Sequence, residues 1–236
     1  MLLALGVDIE DALGSSMARA GGYSDGRDIG VVFNYPNQTG ASALPMCGGV
    51  GAQYTPTVGW AQAVEFHRNV LGEPGWEGAI GVALGGEASV ATNGFWSALT
   101  IATTQHLPML FYIEDNGYGI SVPSTFQTPG ADIAANLASF SGLHVLSGDG
   151  AEPSEAARLV KAGMDHVRAT RGPCLLRLTV PRLQGHSCQT ARNRDPLSAS
   201  NRGSDAILVK AGISLPSAGL GGGPAYLGRT SAVSPA

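Results

Sequence analysis

Four short, mainly apolar runs, the first three closing in a loop rich in glycine or acidic residues, constrain this chain more than any other feature. They are Ala79-Ile80-Gly81-Val82-Ala83-Leu84, Pro108 to Ile113, Leu143-His144-Val145-Leu146, and Cys174 to Val180. Runs this short and largely continuous, broken mainly by His144, Arg177 and Thr179, read as strands covered on both faces, the pattern of a parallel sheet. Helical stretches lie between them. Residues 93–105 carry Phe95, Leu99 and Ala102 on one face, with Thr92 or Asn93 as N-cap. Residues 153–169 begin at Pro153 and stack Ala156, Val160, Met164 and Val167 opposite Arg158, Lys161, Asp165 and Arg168. Strand–helix–strand repeated in this way predicts an α/β fold, a parallel sheet with flanking helices joined by right-handed crossovers. Two more helices are expected upstream, over 1–20 (Val7, Ile9, Leu13, Met17) and from Gly48 to about Leu71. In the second, Gly49, Ala52, Pro56, Gly59 and Ala63 leave one face bare enough for another backbone to approach.

Composition narrows the function. Of 236 residues, 44% are apolar, enough for a sizeable core, and only 14% are charged. Fourteen Lys and Arg against 18 Asp and Glu give a net charge of −4, which argues against nucleic acid as the main partner. Cys47, Cys174 and Cys188 are odd in number and form no C-x-x-C pair, so neither a disulfide framework nor a zinc site is expected. The apolar start, Met1 to Leu5, has no basic flank and meets Asp8 and Glu10 at once, unlike a secretory signal. No apolar run approaches the ~20 residues of a membrane span. The expectation is a soluble, cytoplasmic protein without a membrane partner. Residues 1–188 read as one domain. Residues 189–236, over half Gly, Ala, Ser and Pro with no Glu, read as a disordered tail.

Two loops carry the chemistry. Gly86-Glu87-Ala88 follows one strand, and Glu114-Asp115-Asn116-Gly117-Tyr118 follows the next, with Asn116 twenty-nine residues after Glu87. One crossover helix joins them, so both loops fall on the same edge of a parallel sheet, where open α/β folds bind ligands. Neighbouring strands are ~4.8 Å apart, close enough for side chains of both loops to meet at one ion. A carboxylate and an amide oxygen are hard donors suited to Mg²⁺, which keeps coordination positions open for phosphate oxygens. Gly148-Asp149-Gly150 has a similar sequence, but the residues some thirty positions on are Leu178, Thr179 and Val180, inside a strand. It is read as a strand-to-helix turn with Asp149 near the cap.

The stretch from Gly86-Glu87-Ala88-Ser89 through Asn93-Gly94-Phe95-Trp96 to Ile113-Glu114-Asp115-Asn116-Gly117-Tyr118-Gly119 resembles the thiamine-diphosphate motif of the α subunits of 2-oxo acid dehydrogenase E1 components. That motif opens Gly-Asp-Gly or Gly-Glu-Gly and ends in Asn about thirty residues later; Ala88 stands here for the second glycine. The resemblance implies a thiamine-diphosphate-binding fold and the cofactors thiamine diphosphate and Mg²⁺. Glu87, the Asn116 side chain and the Tyr118 carbonyl would ligate the metal, and Gly86 and Ala88 would line the diphosphate. Gly48-Gly49-Val50-Gly51-Ala52-Gln53 resembles the segment lining the aminopyrimidine, with Gly48 and Val50 in those places. Gln184-Gly185-His186-Ser187 resembles the family's loop histidine, which makes His186 the catalytic residue expected to contact the cofactor and assist acyl transfer. The implied activity is 2-oxo acid decarboxylation with transfer to the lipoyl domain of E2, in an α2β2 assembly with an E1 β subunit that supplies the activating Glu.

Two departures qualify the resemblance. No Tyr-Arg dipeptide of the kind that grips the diphosphate occurs in the chain, and the sequence from Gln189 does not resemble the family. A chain shortened at its N-terminus and replaced after Cys188, as by a frameshift, is the expectation. The alternatives are an acetoin dehydrogenase-like α chain or a truncated, non-catalytic remnant. A Rossmann-type nucleotide module is disfavoured because no G-x-G-x-x-G opens a helix after a strand.

Overall fold

The computed structural model describes residues 2–22, 25–27, 35, 40–43 and 48–183. Four parallel strands form the main sheet: β1 (Gly81–Gly86), β2 (Met109–Asp115), β5 (His144–Asp149) and β6 (Cys174–Thr179). They lie in the order β1-β2-β6-β5. A separate two-stranded ribbon, β3 (Tyr118–Gly119) with β4 (Val122–Pro123), follows β2 directly. All four expected strands are present; the first three run on past their apolar cores and the fourth ends at Thr179, one residue before Val180, so that Gly86, Asp115, Asp149 and Thr179 close the sheet at one edge.

Each face of the sheet has its own core. On one, Ala83, Met109, Phe111, Ile113 and Leu175 pack against α2 (Tyr54–Phe66), α3 (Asn93–Gln105) and the short α4 (Ile133–Asn136). Tyr54, Phe95 and Phe111 form an aromatic triangle there, with ring centroids 5.2–6.0 Å apart, the edge-to-face and offset distances that aromatic pairs prefer. On the other face, Leu110, Leu176 and Leu178 meet α5 (Pro153–Thr170) through Leu159 and Val167. Ala156, Val160 and Met164 pack there as the sequence pattern predicts; the buried Leu159 and Gly163 were not part of that stripe.

The helix boundaries depart from the sequence reading in two places. The helix expected from Gly48 begins at Tyr54, because Gly51 takes a φ of +86° that stops helical geometry. A methyl group at Gly51 would collide with Thr92. This helix ends in a π-helical turn, His67–Leu71, closed by left-handed Gly72. The helix expected over 1–20 is a 3-10 turn, Leu2–Leu5, and then α1 (Ile9–Ser16), whose N-cap Asp8 accepts from the Glu10 N–H at 2.7 Å. At the start of α3 the cap is Thr92, whose hydroxyl accepts from the Phe95 N–H. No helix among the described residues is long and apolar enough to cross a membrane.

Candidate active site

The two loops singled out in the sequence meet. Gly86 pairs with Glu114 in the parallel ladder, so the chain leaves β1 and β2 side by side. The Asn116 N–H then donates to Glu87 Oε2 at 3.1 Å. Asn116 Oδ1 accepts from the Tyr118 N–H at 3.0 Å, closing a side-chain turn that holds the amide against the same edge. Across the ribbon, Tyr118 pairs with Pro123, which has no N–H to offer the Tyr118 carbonyl.

Glu87 is only 3% exposed, yet its Oε1 has no hydrogen-bond partner among the described residues. Burial pushes the carboxyl up from the usual glutamate range, and the Asp115 charge adds to this. The N–H groups of Glu87, Asn116 and Tyr118 oppose it only in part. A sealed, half-satisfied carboxylate is unfavourable by itself, and a hard cation at Oε1 is the partner that would satisfy it. Among the described residues no three His, Cys, Asp or Glu side chains gather at one point. A cation here would therefore draw on a mixed oxygen set of carboxylate, amide and backbone carbonyl, which fits Mg²⁺.

The loop after β1 is anchored from beneath by residues the sequence reading passed over. The Tyr54 hydroxyl donates to Ser89 Oγ at 2.6 Å, and Ser89 Oγ donates to the Gly86 carbonyl at 2.6 Å. Burial pushes the Tyr54 phenol up to about 12, so it remains a donor at neutral pH. Gly85 has to be glycine, because a methyl group there would strike both Tyr54 and Ser89. Ala88, in place of the usual glycine, rests against Gly119, where any Cβ would come within 2.5 Å of the Ala88 methyl. Arg182 sets its guanidinium 5.0 Å above the Tyr118 ring, bringing a cation close to the loop after β2.

Gly48 and Val50 lie in the turn before α2. Val50 is 65% exposed, and Gly51 and Gly94 pack backbone to backbone, so this turn abuts the start of α3. His186 lies outside the described residues, as do Cys47, Cys188 and the whole 189–236 segment. Asp149 sits at the same sheet edge two strands from β2, about 10 Å away by strand spacing. Its Oδ1 accepts from the Ala151 N–H at 2.8 Å, as a turn-forming aspartate does. The N-cap of α5 is Glu152 rather than Asp149. A separate cleft of about 460 Å³ runs along the open side of β1, between Ala43, Trp60, Met164 and Arg168, away from Glu87.

The sheet and the paired loops define an α/β protein with an acidic and amide oxygen site at the carboxyl edge of adjacent parallel strands. The chain belongs to the dehydrogenase E1 component family, whose pattern it matches over residues 1–208. It is 28% identical over 188 residues to the pyruvate dehydrogenase E1 component subunit alpha of Zymomonas mobilis, covering 79% of this chain and 49% of that protein. It is 25% identical over 208 residues to the testis-specific mitochondrial form of that subunit from Rattus norvegicus, covering 86% and 49%. The chain thus spans about half the length of these curated relatives. Among solved structures it is similar to a thiamin diphosphate-dependent enzyme isolated from Mycobacterium smegmatis, at 24% identity and a TM-score of 0.42 over 57% of this chain and 23% of that one. It is also similar to transketolase from Leishmania mexicana, at 15% identity and a TM-score of 0.45 over 58% and 20%.

Proposed function

We propose that the chain acts as the α-type subunit of a 2-oxo acid dehydrogenase E1 component. In this reading it is an oxidoreductase that decarboxylates a 2-oxo acid with Mg²⁺ and thiamine diphosphate and passes the acyl group to the lipoyl domain of an E2 partner. An E1 β subunit completes the site in an α2β2 assembly. The observation that carries the reading is the buried Glu87 carboxylate, whose Oε1 has no partner among the described residues, set beside Asn116 at the edge of β1 and β2. Thiamine diphosphate, when bound, supplies the electron sink that decarboxylation needs. The chain supplies binding and orientation. Glu87, the Asn116 amide and the Tyr118 carbonyl hold the metal. The Gly86, Glu87 and Ala88 backbone faces the diphosphate, and Gly48 and Val50 border the aminopyrimidine. His186 is the residue that contacts the cofactor and assists acyl transfer. Arg182, over the Tyr118 ring, adds positive charge close to the loop after β2.

The test is calorimetric titration of the full chain with thiamine diphosphate and Mg²⁺. Glu87→Gln keeps an acceptor for the Asn116 N–H but removes the anion. It should abolish metal-dependent binding without lowering the melting temperature, because a neutral group suits that buried position better than a charge. Asp149→Asn should bind as the unchanged chain does. Full affinity in Glu87→Gln, or lost affinity in Asp149→Asn, would overturn the assignment.

A further inference from the structure

Arg177 interrupts an otherwise apolar strand, Cys174-Leu175-Leu176-Arg177-Leu178, at a position facing α4 rather than solvent. A cation in that place has to be paired. Its Nε and Nη2 both reach Asp115 Oδ2 at 2.7 Å, and Nη1 reaches Asp132 Oδ2 at 3.1 Å. The side chains of Arg177 and Asp115 are 15% and 5% exposed, so this pair is largely withdrawn from water. Each carboxylate uses its other oxygen on backbone. Asp115 Oδ1 accepts from the Gly117 N–H at 3.0 Å, and Asp132 Oδ1 accepts from the Ala135 N–H at 3.0 Å, capping α4. One guanidinium therefore fixes the turn from Asp115 to Tyr118 and ties it to the start of α4. That turn presents both the Asn116 amide and the Tyr118 carbonyl opposite Glu87.

We propose that Arg177 is a positioning residue for the cation site: by clamping Asp115 it sets the Asn116–Tyr118 turn in register with Glu87. The proposal rests on the metal reading of Glu87 and Asn116. It makes a prediction that plain electrostatics reverses. Arg177 is positive and close to the site, so removing its charge should strengthen cation binding if charge alone mattered. If the clamp matters, removal weakens binding, by about tenfold or more, as is usual when a group orienting a metal ligand is lost.

The experiment uses the full chain in the forms unchanged, Arg177→Gln, and Asp115→Asn with Arg177→Gln. In the double variant the amide introduced at position 115 still accepts from the Gly117 N–H and donates to the amide introduced at position 177, which restores a neutral clamp. Two quantities are measured: Mn²⁺ affinity in the presence of thiamine diphosphate, by electron paramagnetic resonance, and hydrogen exchange of the Gly117 and Tyr118 amides without metal. The expected result is faster exchange and weaker Mn²⁺ binding in Arg177→Gln, with both recovered in the double variant. Unchanged or tighter binding in Arg177→Gln overturns the proposal, as does a double variant no better than the single one. If Arg177→Gln does not fold, the double variant alone decides, and it must match the unchanged chain. No Mn²⁺ binding by the unchanged chain even with a cognate E1 β subunit present sinks the cofactor reading, whereas the exchange rates still report on the clamp by themselves.

Discussion

Residues in this chain are decided by what surrounds them more than by their type. Glu87 and Asp149 each stand at the carboxyl end of a strand directly after a glycine, yet one is sealed with an oxygen unsatisfied among the described residues and the other closes an exposed turn. Cys174 makes the same point for reactivity. It is fully buried at the start of β6, and burial pushes its thiol up to about 12, so almost no thiolate exists at neutral pH. In the native chain Cys174 should escape alkylation by iodoacetamide and become labelled only in denaturant, as read by peptide mass mapping. Labelling of Cys174 under native conditions would show that β6 opens locally far more often than its packing implies.

At the scale of elements, one ion-pair network joins the two ends of the fold that the sheet does not connect. Arg171 caps α5 in a left-handed conformation and donates from Nε and Nη2 to Glu65 Oε1 on α2, at 2.9 and 2.6 Å. It also donates to the carbonyls of Glu77 and Ala79, just before β1. Burial pushes the Glu65 carboxyl up, but the hydrogen bonds from Arg171 and Asn69 and the charges of Arg171 and Arg68 outweigh it and hold it below the ordinary value of 4.5. A carboxylate depressed in the folded state contributes stability that is complete above its unfolded pKa and lost as pH falls through the folded value. The melting temperature should therefore fall as pH drops below about 4.5. Glu65→Gln should flatten that limb and cost about 1–3 kcal/mol at neutral pH, because the Arg171 fork loses its charged partner. Thermal melts across pH check both. An acid limb unchanged in Glu65→Gln would mean that other carboxylates carry it.

For the whole molecule, the telling feature is what the described residues leave uncovered. The small-residue face of α2 is exposed at Pro56 and Gly59, and none of the described residues lies within 4 Å of where a Gly59 Cβ would stand. Val82 and Leu84, on β1 at the sheet margin, are over 40% exposed, and so are Ile9, Leu13 and Met17 along α1. Apolar surface of this kind marks sites of association. Under the proposed function, the chain alone should bind thiamine diphosphate with Mg²⁺ weakly and turn over no 2-oxo acid. Co-expression with a cognate β subunit should give a larger species by ultracentrifugation and decarboxylation of pyruvate or a branched 2-oxo acid. Full turnover by the isolated chain would refute the need for a partner.

The sequence alone was enough to fix the strand–helix alternation, because continuous apolar runs and 3.6-residue stripes are local patterns that need no knowledge of neighbours. It also placed Glu87 and Asn116 on one edge, since a single crossover leaves little freedom in where the next parallel strand lies. Thr92, one of two cap candidates, and Pro153 at a helix start were legible for the same local reason. The start of α2 was not, because Gly51 adopts positive φ only where its backbone meets Thr92 and Gly94, residues distant in the sequence. Nor were the Tyr54–Ser89 bond or the Arg177–Asp115 clamp, which span 35 and 62 positions. Arg177 stands out in the sequence only as a charge in an apolar strand. Which carboxylate it meets is set by the β2–β6 register, and register is a property of the assembled sheet. The pairing of long-range polar groups follows from strand order, and strand order is settled when the two faces of the sheet find their helices.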